Sequence, residues 1–156
     1  MFRKMRRFKQ ELTTEECMEV LKAQPRGVLS VHGEDGYPYG FPMDYLYRDG
    51  KLYFHCAKEG HKIDAITADN RVSFCVYDEG FRKDGEWALN IKSIIIFGKI
   101  RKMEESEINR EIMYDMGMKY YPTSEGVEEE IKKAMSRVQL LELTVDHMTG
   151  KLVNES

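Results

Sequence analysis

The strongest constraint on this chain is its succession of short extended segments between Gly27 and Met103, each closed by turn chemistry. Gly27 to Val31 is rich in valine, Gly33-Glu34-Asp35-Gly36 is a turn, and Tyr37 to Tyr47 resumes an extended run broken by Pro38 and Pro42. A proline cannot donate to a sheet ladder, so Pro42 predicts an edge or a bulge with backbone amides free for another partner. Arg48-Asp49-Gly50 turns the chain into Lys51–Ala57, where Leu52, Phe54 and Cys56 alternate with Tyr53, His55 and Ala57. That two-residue period puts His55 on the face of Tyr53. Arg71 to Tyr77 is strand-like, Asp78 to Glu86 is a polar loop, and Leu89 to Met103 carries Ser93-Ile94-Ile95-Ile96-Phe97, the strongest β signal and so a central strand.

Helices are predicted around these strands. Thr13 and Glu16 form a capping box ahead of Cys17, Val20 and Leu21, and Pro25 stops that helix near Gln24. After Gly60, Ile63, Ala65, Ile66 and Ala68 suit a short helix closed by Asn70. Ile108, Ile112, Met116 and Tyr120 recur every four residues within 104–120, and Val127, Ile131, Ala134 and Met135 mark a further helix. Arg137 to Val145 ends the pattern as an alternating strand before Thr149-Gly150-Lys151. Antiparallel strands with flanking helices describe an α+β domain whose sheet curls into a barrel, one domain over 1–156.

A formal net charge of −3 gives no basis for nucleic-acid binding, which needs an excess of Lys and Arg facing phosphates. Arg3, Lys4, Arg6, Arg7 and Lys9 read as a solvated, partly frayed terminus. No long apolar run follows them, which predicts no membrane span and a cytoplasmic protein. Cys17, Cys56 and Cys75 are odd in number and form no CxxC, so reduced thiols are expected, with no disulfide framework and no metal site.

The stretch that carries chemistry is Phe54-His55-Cys56-Ala57-Lys58-Glu59-Gly60-His61-Lys62, where a strand ends, glycine relieves the backbone and basic residues open a helix. Free amides and the positive end of the helix dipole attract an anion there, and Lys62 with His61 adds charge and donors. Taken alone, such a junction usually carries a solvated lysine, and a strand histidine such as His55 is more often structural than catalytic.

Together with Tyr37-Pro38-Tyr39-Gly40-Phe41-Pro42-Met43-Asp44-Tyr45 and Ser93-Ile94-Ile95-Ile96-Phe97-Gly98-Lys99, in that order, this stretch resembles the pyridoxamine 5′-phosphate oxidase-like FMN-binding proteins, in their 5-nitroimidazole-resistance branch. The resemblance implies an antiparallel split β-barrel and a homodimer holding two FMN molecules at its interface. It places Phe41, Pro42, Met43 and Asp44 along the isoalloxazine, and His55, Cys56 and Ala57 beside the flavin and ribityl chain. Gly60, His61 and Lys62 would hold the phosphate, Lys92 and Ser93 would turn toward the cofactor, and Trp87 would reach across the dimer. His55 matches the active-site histidine of that branch, either donating a proton to substrate or orienting the ring.

The chain lacks the arginine-rich C-terminal motifs of the vitamin oxidases proper, ending instead in Leu141-Glu142-Leu143-Thr144-Val145-Asp146, which weighs against that activity. The reading is thus a flavin-dependent reductase of small organic substrates, nitroaromatic and nitroimidazole compounds among them, with NAD(P)H docking transiently because no GxGxxG fingerprint is present. The competing class is a binding module that holds flavin, haem or a deazaflavin without turnover.

Overall fold

The computed structural model describes residues 1–155 and shows seven antiparallel strands in one sheet, ordered β2-β1-β5-β6-β7-β4-β3. These are β1 (Arg26–His32), β2 (Pro38–Asp44), β3 (Leu46–Arg48), β4 (Lys51–Ala57), β5 (Arg71–Tyr77), β6 (Leu89–Lys102) and β7 (Val138–Glu155). Four helices flank them, α1 (Thr14–Ala23), α2 (His61–Ala68), α3 (Glu107–Tyr120) and α4 (Ser124–Ala134). The fold is a split-barrel α+β fold. Phe41 and Met43 of β2 share one core with Leu52 and Phe54 of β4, although these strands lie toward opposite ends of the sheet. Only a curled sheet permits that.

Cys17, Val20 and Leu21 of α1 and Ile63, Ala65 and Ile66 of α2 complete this interior, around Phe74, which meets Tyr45 and Phe54 edge-on with centroids 5.1 Å apart. The capping box is present at Thr13 and Glu16, 3.1 and 3.2 Å. A second core, Tyr53, Met103, Ile112, Met113, Met116, Val127, Ile131 and Leu140, joins α3 and α4 to the outer side of β4 and β7. β6 occupies the middle of the sheet, as its isoleucine run predicts.

Four expectations are corrected. The last strand runs on past Val145 to Glu155, because a bulge between Phe97 and Gly98 skips Asp146 and lets the tail keep pairing with β6. Gly150 lies within this longer strand, where a Cβ would collide with Cys17 Sγ and where its carbonyl accepts the Leu12 amide at 2.8 Å, so it marks where α1 approaches the sheet. Of the edge or bulge that Pro42 predicts, the structure shows the edge, and the interruption expected at Pro42 falls instead at Tyr45, since β2 runs through Pro42 in unbroken register opposite Val28. Asp69, not Asn70, caps α2, and its carboxylate accepts the Arg71 amide at 3.1 Å. The amino terminus is also held: Phe2 stacks on His147 at 4.8 Å and on Phe97 at 5.4 Å.

Candidate functional site

The corner at which β4 gives way to α2 is built by one glycine. Gly60 has φ 134° and ψ −178°, a conformation that only glycine adopts without strain, and a Cβ there would point into open space. It is the N-cap residue of α2, so no side chain caps the first-turn amides, and the first helical bond runs from the Asp64 amide to the Gly60 carbonyl at 3.1 Å. Lys62 leans from this turn onto β2. Its Nζ lies 3.8 Å from Met43 Sδ and 4.8 Å from the centre of the Phe41 ring. Among the described residues no carboxylate lies within ion-pair distance of it.

His61 packs its ring 4.2 Å from that of Tyr39, over a shallow cleft of about 370 Å³ bordered by the β1–β2 turn. Thus Lys62 is brought against Phe41 and Met43 and His61 against Tyr39; the Phe41 and Met43 side chains are buried inward while Pro42, between them, faces out. β2 pairs only with β1, so every second residue of it leaves its backbone groups free along the sheet edge. Cys56 turns toward the barrel interior beside this corner; burial pushes its thiol pKa up, partly offset by the Lys62 charge.

His55 takes the opposite face of β4, as the alternation requires, together with Tyr53 and next to the second core. The residue is exposed, yet the surrounding atoms desolvate its ring enough to lower its pKa, with a smaller opposing pull from the Asp44 carboxylate. The imidazole is therefore neutral at pH 7, able to donate from one nitrogen and accept at the other. Asp44 is itself paired with Arg26 Nε at 2.6 Å. His55 and Asp44 share a cleft of about 450 Å³ walled by α3 and α4.

Trp87, Lys92 and Ser93 are not brought to this corner. Trp87 is 84% exposed on the loop before β6. Following the registers outward, Asp44 lies opposite Arg26, and Arg26 falls in line with Tyr77, which faces Ser93. Ser93 is thus three strand spacings, about 14 Å, from Asp44 across the outer side of the sheet. That side also exposes Val28, Tyr77, Ile95 and Phe97.

The sequence profile of pyridoxamine 5′-phosphate oxidase matches residues 13–152. The chain belongs to that family. Among solved structures, it is similar to a proposed 5-nitroimidazole antibiotic resistance protein from Bacteroides thetaiotaomicron, with 20% identity, TM-score 0.75, 94% of this chain covered and 90% of that one. It is also similar to an FAD-binding protein from Mesorhizobium loti, at 22% identity and TM-score 0.68, covering 92% and 97% of the two chains. An FAD and heme binding protein from Mycobacterium smegmatis matches at 19% identity and TM-score 0.74, covering 92% and 73%. No curated protein matches this chain in sequence. At these identities the structural likeness speaks for the fold.

One supporting group of this oxidase-family chain escapes sequence reasoning. Tyr120, which reads as the last residue of an apolar stripe, places its hydroxyl at the break between β2 and β3. There it accepts the Tyr45 amide at 3.0 Å and reaches the carbonyls of Pro25 at 2.5 Å and Tyr45 at 3.0 Å. Lys119 donates to the same Tyr45 carbonyl at 3.0 Å with its ammonium 3.7 Å from the Tyr45 ring centre; burial pulls its pKa down to about 8. Together they fix the backbone next to Asp44. Only the terminal polar atoms of a tyrosine and a lysine late in α3 signal this, and no local pattern distinguishes them.

Proposed function

We propose that this family member is an FMN-dependent reductase of small organic substrates, nitroaromatic compounds included, working in the cytoplasm as a homodimer with NAD(P)H as transient electron donor. The observation that carries the reading is the α2 corner: an uncapped helix start, a glycine-only bend and a lysine with no acidic partner among the described residues, all set against a sheet edge. Such a donor set suits a terminal phosphate dianion, since the Lys62 ammonium has no acidic partner among the described residues and the first-turn amides have no side-chain cap. When bound, the flavin ring supplies the hydride and electron transfer, and the protein supplies position and electrostatics.

In this reading Gly60, His61 and Lys62 hold the phosphate, while the backbone of Phe41, Pro42, Met43 and Asp44 runs along the ring edge. Cys56 and Ala57 border the ribityl chain. His55, neutral and at the Asp44 end, orients the ring system or donates a proton to a reduced substrate. The exposed Val28, Tyr77, Ile95 and Phe97 supply the apolar surface against which a second copy would close. Trp87, Lys92 and Ser93 then serve the partner's cofactor.

An absorption spectrum of the purified protein, with mass identification of the molecule released on denaturation, tests the proposal. FMN mass, flavin bands bleached by NADH and recovery of those bands on adding a nitro compound are expected. A Soret band without flavin would replace the reading with a haem-binding one, and a colourless protein that takes up no added FMN would end it.

A further inference from the structure

The cleft shared by His55 and Asp44 extends well past both, between α3 and α4. Its walls are Met113, Met116, Val127, Ile131 and Ala134, flanked by Tyr120 and Tyr121. Gly117 lets the two helices close on each other, since a Cβ there would come 2.5 Å from Val127 Cγ1. A volume of about 450 Å³ falls within the range of small-molecule sites and holds a body of one or two rings. Thioether and aromatic linings of this kind favour flat, polarizable ligands.

The charge of the lining is one-sided. Asp44 and Glu130 contribute carboxylates, and no Lys or Arg side chain lines the cleft. Asp44 is engaged by Arg26, whereas Glu130 has no ion-pair partner among the described residues. Two cations stand close by and both are committed: Arg26 to Asp44 at 2.6 Å, and Lys119 to the Tyr45 carbonyl and ring. His55 adds a neutral donor and acceptor at one end.

We infer that this cleft is the substrate subsite and that it takes an uncharged or cationic heteroaromatic, such as a ring amine, while turning away organic anions. An anion entering it meets the uncompensated Glu130 carboxylate and an Asp44 whose counter-charge, Arg26, is already taken; a basic ring finds Glu130 at the rim, apolar walls for its faces and the His55 imidazole as its hydrogen-bonding partner. The inference rests on the flavin reading for the reaction that follows, and on the cleft alone for binding.

The test is a titration of the full chain, labelled with ¹³C at the methionine methyls, using 4-aminoquinoline and quinoline-4-carboxylate as probes of one shape and opposite charge. Met113→Leu and Met116→Leu assign the two methyl signals. Both signals should move with the amine, the carboxylate should bind roughly tenfold more weakly, and Glu130→Gln should narrow that preference by about twofold to fivefold. Motionless Met113 and Met116 signals, or equal binding of both probes, would overturn it. Flavin uptake, read separately by absorbance, keeps the two claims apart. Probe binding without flavin uptake would sink the cofactor reading alone, and flavin uptake without probe binding would sink the subsite alone.

Discussion

Replacing Lys62 with methionine isolates the electrostatic part of the corner. The unbranched side chain keeps packing against Phe41 and Met43 but removes the ammonium that stands 4.8 Å from the Phe41 ring. Because that ammonium has no carboxylate partner among the described residues, the folded protein loses at most an exposed cation–π contact, about 0.5–1 kcal/mol. Bound FMN loses a charge-assisted hydrogen bond of about 1.5–3 kcal/mol, which is roughly a tenfold to 150-fold rise in Kd. Flavin fluorescence quenching on titration into apo-protein reads the affinity, and urea unfolding of the same apo samples reads stability. An unchanged Kd would place the phosphate elsewhere. A loss of several kcal/mol in unfolding would show that Lys62 is structural.

Tyr120→Phe leaves the buried Tyr45 amide without its acceptor and should cost about 1–3 kcal/mol in urea unfolding, with no change in the helical signal by circular dichroism. Gly60→Ala forces a side chain into a glycine-only conformation, so a strain of about 1–3 kcal/mol should appear as a lower Tm, together with weaker FMN binding. Lys119, with its pKa lowered to about 8 in the fold against 10.5 ordinarily, binds fewer protons folded than unfolded between those values. Stability should therefore rise with pH from about 8 toward 10, until Tyr45 and Tyr120, whose pKa values burial raises, reverse the trend; Lys119→Met should abolish the rise. His55, with its pKa lowered, likewise binds fewer protons folded, so stability should fall as pH drops through 6.5, and His55→Gln should flatten that slope in acid unfolding curves.

Local signals carried far in this chain. The alternation from Leu52 to Ala57, the isoleucine run of β6 and the Thr13–Glu16 box each report a structure decided within a few residues, and each is realised. The α2 corner was legible for the same reason, because a glycine and the two residues after it define a helix start. What failed was set by distant partners. β7 continues to Glu155 only because β6 is long enough to pair with it and a bulge absorbs Asp146. The close approach of Cys17 to Gly150 likewise shows in no local pattern. That Lys62 would rest on Phe41 and Met43 depends on the curl that joins the two ends of the sheet. The work of Tyr120 and Lys119 at Tyr45 spans 74 or 75 residues of chain. The side-chain cleft between α3 and α4 follows from how two amphipathic helices meet, which neither helix shows by itself.

The most direct measurement is a crystal structure of the protein after saturation with FMN. The phosphate should lie within hydrogen-bond distance of Lys62 Nζ and the first amides of α2, with the ring along Phe41–Asp44 and a second protomer closing over it. A phosphate bound away from Gly60, or a flavin held entirely within one chain, would contradict the account.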